Sequence, residues 1–110
     1  MLRGLPLLAA VLEAVTLIQS DASLVGAEST IRRPDSDDFP NKSAAWTVEV
    51  GNLGGEVTVW EDGSSELGLV DFTTNDAYSE HRQLDDLKSI QVAVEVVRDW
   101  VMGRRLPAME

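Results

Sequence analysis

The chain has 110 residues, the length of one domain, and its 44% hydrophobic and 25% charged residues are ordinary for a folded soluble protein. It contains no cysteine, which excludes disulfides, thiolate metal sites and cysteine nucleophiles. Its formal net charge of −10 disfavours binding to nucleic acid or to an anionic membrane and favours a basic partner.

The acidic residues are concentrated in the middle of the chain. Between positions 49 and 86 there are ten aspartates and glutamates and a single basic residue, Arg82. Such a charge field speeds encounter with a cationic protein. Acidity also serves general solubility, so composition alone leaves both interpretations open.

The N-terminal segment predicts a helix over about 6–19. Leu8, Leu12 and Val15 repeat at helical spacing, and Pro6 suits the first turn. The same apolar run resembles a signal peptide, which would remove residues 1–27 and place the protein outside the cytoplasm. Glu13 in the middle of the run disfavours membrane insertion. We therefore expect a cytoplasmic protein, with a secreted or periplasmic one as the alternative.

A loop and a short strand follow the first helix. Ser29 to Arg33 is typical of a short edge strand, and the prolines and aspartates from Pro34 to Asn41 predict a loop. The spacing of Asp35, Asp37 and Asp38 lacks the glycine and the distal glutamate of a calcium loop. We predict no metal and no cofactor.

Three strands are predicted next, at about 45–50, 56–60 and 65–72, with a glycine-rich turn at Gly51 to Gly55. A three-residue loop at 61–63, with Gly63 left-handed, pairs odd residues with odd ones across the second hairpin. That register gathers four apolar side chains on one face, whereas a one-residue slip would expose them. They are Val57, Val59, Leu67 and Leu69.

A polar strand at about 77–83 and a helix at about 86–102 complete the chain. Asp85 is the predicted N-cap and Gly103 the predicted end of the helix. The apolar stripe of this helix consists of Leu87, Ile90, Val94, Val97 and Val101, with Ala93 and Trp100 beside it. Residues 1–110 are thus predicted to form one α+β domain: an N-terminal helix, an antiparallel meander of three to four strands, and an amphipathic C-terminal helix packed on one sheet face.

The sequence lacks catalytic signatures. His81 is the single histidine and has no motif neighbour, no serine lies in a nucleophile elbow, and no glycine pattern matches a phosphate loop. We predict that the protein is not an enzyme. Trp46 and Trp100 are predicted core residues, whereas the parity of Trp60 places it on the solvent side, either as a binding residue or packed beside Phe72.

The segment from Pro40 to Val101 resembles the TriTu immunity proteins, small bacterial proteins encoded beside polymorphic toxins. The likeness lies in NKSAAWTVEV, a glycine turn, GEVTVWEDG, ELGLVDF, SEH and a terminal amphipathic helix. The resemblance implies that the protein binds and neutralises one cognate toxin. No contact residues are implied.

Joined to the charge pattern, the resemblance predicts a non-catalytic inhibitor whose acidic sheet surface binds a toxin with a basic active-site cleft. The candidate contact residues are Glu56, Trp60, Glu61, Asp62, Glu66, Asp71, Asp76 and Glu80. One alternative is a general adaptor or secretion chaperone that uses its apolar helices. A second is a small hydrolase that uses a pair of carboxylates.

Overall fold

A computed structural model describes residues 4–20, 27–32, 43–84 and 86–103. The predicted loop over Pro34 to Asn41, with its three aspartates, lies outside these ranges, as does Asp85. The elements in chain order are α1 (Gly4–Gln19), β1 (Glu28–Arg32), β2 (Ser43–Val50), β3 (Leu53–Trp60), β4 (Ser64–Asp71), β5 (Asp76–Gln83) and α2 (Leu87–Val101).

The strands form one antiparallel sheet in the order β1-β2-β3-β4-β5, a simple meander. The α+β architecture is as predicted, with one strand more than the three to four expected. The fifth strand is β1, the edge strand predicted at Ser29 to Arg33, which joins the meander at the edge of the sheet beside β2.

The register of the β3–β4 hairpin is confirmed. Val57 pairs with Leu67 and Thr58 with Glu66, so odd residues lie opposite odd ones. The loop between the strands is the predicted 61–63, with Gly63 at φ 86°. Glycine supplies this left-handed conformation without steric cost.

The predicted turn from Gly51 to Gly55 is wrong in its second half. Only Gly51 and Asn52 form the turn, and β3 already begins at Leu53. Gly55 lies within the strand, and a larger residue is disfavoured there because its Cβ atom would come 2.7 Å from Cγ1 of Val97 in α2. This glycine thus lets the helix approach the sheet closely, which propensity alone cannot reveal.

Helix α2 begins with a capping box at Asp86. The Asp86 carboxylate accepts a hydrogen bond from the Ser89 amide at 2.8 Å, and the Ser89 hydroxyl lies 3.3 Å from the Asp86 amide. The N-cap is therefore Asp86 and not the predicted Asp85. Leu87 is also a correction, because it is 57% exposed in the first turn; the rest of the predicted stripe is buried.

The sheet has one face covered by both helices, here called the helix-covered face. Its β2, β3 and β4 side chains join α1 and α2 in the core, and Trp46 is fully buried there, as predicted. Trp100 is also buried and donates from Nε1 to the Val70 carbonyl at 3.1 Å. In α1 the buried stripe consists of Leu7, Leu8, Val11, Val15 and Ile18.

Neither helix covers the opposite face, here called the open face. Alternation places on it the residues that point away from the core. Among the residues described by the structure, no helix has the length and hydropathy needed to cross a membrane.

Candidate binding surface

Four glutamates cross the open face along a diagonal. Glu28 of β1 pairs directly with Glu49 of β2. Glu49 pairs with Gly54 of β3, and Glu56 lies two residues further along that strand. Glu56 pairs in turn with Gly68 of β4, and Glu66 lies two residues from Gly68 in the same direction across the sheet. Strand spacings of roughly 4.8 Å and a rise of about 3.3 Å per residue give this diagonal a length of about 20 Å.

The diagonal is formed at a cost to the fold. Glu28 and Glu49 are exposed carboxylates placed directly opposite each other, an arrangement that destabilises an antiparallel pair. At its other end, the Glu66 carboxylate lies 3.5 Å from Nε2 of His81, a contact that becomes an ion pair when the histidine is protonated. Arg32, also on this face, donates to the Ser43 hydroxyl at 3.0 Å.

A shallow apolar trough lies beside the diagonal. Phe72 follows β4, its amide donates to the Asn52 carbonyl at 2.8 Å, and its ring lies over Gly54. The side chain of Phe72 is nevertheless 53% exposed. Gly54 and Gly68 form the floor, Val70 and Phe72 the wall, and the trough encloses about 350 Å³. A cavity of this size lies at the lower end of ligand-binding sites.

The structure places three of the predicted contact residues on the open face: Glu56, Trp60 and Glu66. Trp60 is half-buried there, level with Ser43. It lies at the opposite end of this face from Phe72, so the two aromatic rings do not form one cluster.

Four predicted residues lie in the turns. Glu61 and Asp62 form the β3–β4 loop, and the Asp62 carboxylate accepts from the Ser64 amide at 2.9 Å. Asp71 and Asp76 pair at the β4–β5 turn, where Asp71 accepts from the Thr73 amide at 2.9 Å. The Asp62 and Asp71 carboxylates thus hold their turns through backbone hydrogen bonds, a common role of aspartate.

Glu80 points to the helix-covered side of β5. Its carboxylate is 2.8 Å from Nη2 of Arg82, and this hydrogen bond lowers the pKa of Glu80 below its ordinary value. Desolvation, together with a hydrogen bond to Glu80, raises the pKa of Tyr78 above its ordinary value. The structure thus separates Glu80 from the open-face acids, because the even-numbered residues of β5 lie opposite the core residues of β4.

Sequence reasoning missed Glu28, Glu49 and the trough. Alternation along β2 puts Glu49 on the face of the sheet away from Trp46 and Val48, and alternation along β4 puts Phe72 on the same face as Glu66. Those signals were present in the sequence. The pairing of Glu28 with Glu49, however, requires the β1–β2 register.

The described residues form no group of three or more histidine, aspartate or glutamate side chains able to hold a metal ion. His81 is exposed and contacts Glu66 alone among the described ion pairs. The open face offers carboxylates that can bind cations, and an exposed ring with a glycine floor that can contact apolar or cationic groups.

These features define a small α+β protein with an open sheet face that is both acidic and apolar. The chain belongs to the TriTu immunity protein family, whose model matches residues 16–100, from the end of α1 through the sheet to the last turn of α2. This family neutralises toxins and implies a cognate toxin as the partner. No curated protein and no solved structure matches the chain.

Proposed function

We propose that this protein neutralises its cognate toxin by binding it through the open face, without catalysis. The observation that carries the proposal is the diagonal of Glu28, Glu49, Glu56 and Glu66 on the face that the helices leave uncovered. Directly opposed carboxylates weaken the isolated protein. A partner that supplies positive charge to this face would turn that repulsion into attraction.

The proposed partner surface is a basic cleft of the toxin. Complementary charge raises association rates and excludes wrong partners. The same geometry would obstruct the toxin's active site if the cleft contains it. Glu61 and Asp62 extend the negative potential at the β3–β4 loop, and Trp60 lies near them at that end of the open face.

The test compares two pairs of charge-neutralising substitutions that change the net charge equally. Glu49→Gln with Glu56→Gln alters the open face, whereas Glu13→Gln with Glu95→Gln alters exposed positions on α1 and α2. We expect the open-face pair to slow association with the toxin about tenfold and to flatten its salt dependence. The helix pair should bind like the wild type, and equal effects of both pairs would refute a face-specific role.

A second candidate function is that of an adaptor that binds through the helices. Leu17 is 64% exposed and borders a groove of about 220 Å³ between α1 and α2. Leu17→Gln would weaken partner binding if this groove were the contact. If the toxin binds through the open face, the same variant should bind it normally.

We also propose that residues 4–20 remain with the folded protein in the cytoplasm. Leu7 and Leu8 are fully buried against the sheet and α2, which supports retention of this helix. N-terminal sequencing of the protein isolated from its native cell tests this. Recovery of a mature chain that begins near residue 27 would contradict it.

A further inference from the structure

Gly68 has no structural reason to be a glycine. Gly51 and Gly63 adopt φ of 59° and 86°, and Gly55 makes room for Val97. Gly68 lies in the interior of β4, its φ is not positive, and a Cβ atom placed on it would meet nothing within 4 Å. Glycine weakens a strand, and an unexplained strand glycine often marks the close approach of another molecule.

The space above Gly68 belongs to the trough. Gly68 pairs with Glu56 on one side and with Ser79 on the other, and Gly54 continues the floor diagonally toward Phe72. The wall is apolar, but the rim carries the carboxylates of Glu49 and Glu56. The Glu56 carboxylate lies 3.3 Å from the Thr47 hydroxyl, which donates to it.

We propose that this trough receives an arginine side chain of the cognate toxin. The proposal rests on the proposed function and specifies its contact. The aliphatic part of the arginine would lie on the floor of Gly54 and Gly68, and its guanidinium would contact the carboxylates at the rim and the exposed ring of Phe72.

The chemistry of the trough selects arginine over other residues. A carboxylate rim favours a cation over an aliphatic side chain, because burial of unpaired carboxylates against an apolar group is unfavourable. Arginine is favoured over lysine because its planar group is weakly hydrated, stacks on aromatic rings and pairs with carboxylates through two parallel hydrogen bonds. The missing side chain at position 68 leaves the floor low enough for the stem.

The first experiment fills the floor. Gly68→Val adds a β-branched side chain that suits a strand, and its Cβ atom has no atom of this chain within 4 Å. We expect an unfolding temperature at or above that of the wild type and at least tenfold weaker binding to the toxin encoded beside this protein, used as a catalytically inactive variant. The control Ala9→Val adds the same two γ-methyl groups at an exposed position of α1 and should leave binding unchanged. Gly68→Ala provides a smaller obstruction if valine lowers stability.

The second experiment identifies the chemical class of the occupant. Phe72→Leu keeps an apolar wall but removes the ring, and we expect binding to weaken roughly 2- to 30-fold, the usual range for a cation–π contact. Phe72→Tyr should bind like the wild type. Normal binding by Phe72→Leu, together with loss of binding by Gly68→Val, would overturn the arginine and indicate an aliphatic occupant.

The two proposals fail in distinguishable ways. If Gly68→Val and Gly68→Ala bind normally while Glu49→Gln with Glu56→Gln binds weakly, the trough is not a contact, but the open face still is. If none of these variants weakens binding, both proposals are wrong.

Discussion

The two faces of the sheet differ in what explains their residues. On the helix-covered face, nearly every side chain of β2, β3 and β4 is accounted for by packing against α1 or α2. On the open face, the opposed Glu28 and Glu49 and the empty space at Gly68 weaken the strands that carry them. The residues of the helix-covered face are therefore explained by stability, whereas those of the open face are explained by our proposal of a bound partner.

The largest expected effect on stability is on the helix-covered face. Trp46 is fully buried, and its Nε1 donates to the Ser29 hydroxyl at 2.7 Å, so Trp46→Ala leaves a cavity and removes this hydrogen bond. We expect the free energy of unfolding to fall by about 3–5 kcal/mol in denaturant titrations. Trp60→Ala, on the open face, should cost less than half as much. Equal losses would break the distinction between the faces.

Two neighbouring strand glycines should respond oppositely to the same substitution. Gly55→Ala forces a Cβ atom to within 2.7 Å of Val97, and we expect a loss of about 1–3 kcal/mol. Gly68→Ala meets open space and should gain about 0.5–1 kcal/mol, because alanine has less backbone entropy to lose. Chemical denaturation of both variants measures the difference. A destabilised Gly68→Ala would show that position 68 has a structural role within the chain.

A smaller effect should follow relief of the opposed carboxylates. Glu49→Gln removes the repulsion by Glu28 and should stabilise the protein by about 0.2–1 kcal/mol at low salt. Glu28→Gln should give a similar gain, and the double variant little more, since either change removes the same repulsion. The gains should shrink as salt is added. Additive gains would mean that the two carboxylates do not interact.

The smallest expected effect concerns the cap of α2. Hydrogen bonds from Ser89 lower the pKa of Asp86 in the folded protein below its ordinary 3.8. The ionised cap therefore adds stability above the unfolded pKa, and this contribution is lost as the pH falls through the lower folded pKa. Asp86→Ser keeps a capping oxygen that does not titrate. Thermal unfolding between about pH 5 and pH 2 should show a steeper loss for the wild type than for this variant; parallel curves would contradict the assignment.

Much of the fold could be predicted from the sequence where local and tertiary signals agree. The β3–β4 register followed from Gly63 and from the parity of the apolar residues around it. The prediction of a turn at Gly54 and Gly55 is wrong, because the sequence does not distinguish two roles of glycine. A glycine that makes room for a side chain such as Val97 in α2 looks the same as one that adopts a left-handed turn conformation. Glu80 was placed with the other acids for a similar reason: its role depends on Arg82 and on the phase of β5.

The candidate site was less predictable than the fold. The charge excess and the solvent-facing parity of Glu56, Trp60 and Glu66 are readable from the sequence. The diagonal and the trough are not, since they arise only when the strands are placed side by side in register. The ring of Phe72, which follows β4, lies beside Gly54 of the neighbouring strand β3, and no local sequence pattern predicts this proximity.

Methyl cross-saturation NMR of the complex tests the central claim most directly. In this experiment the immunity protein is deuterated except at its methyl groups, and the inactive toxin is fully protonated and serves as the saturation donor. If the open face contacts the toxin, saturation of toxin protons should attenuate the methyl signals of Thr47, Val70 and Ala77, which lie on that face beside the trough. The exposed helix methyls of Leu17, Leu87 and Val92 should keep their intensity. Attenuation of the helix methyls with the open-face methyls unchanged would contradict the account.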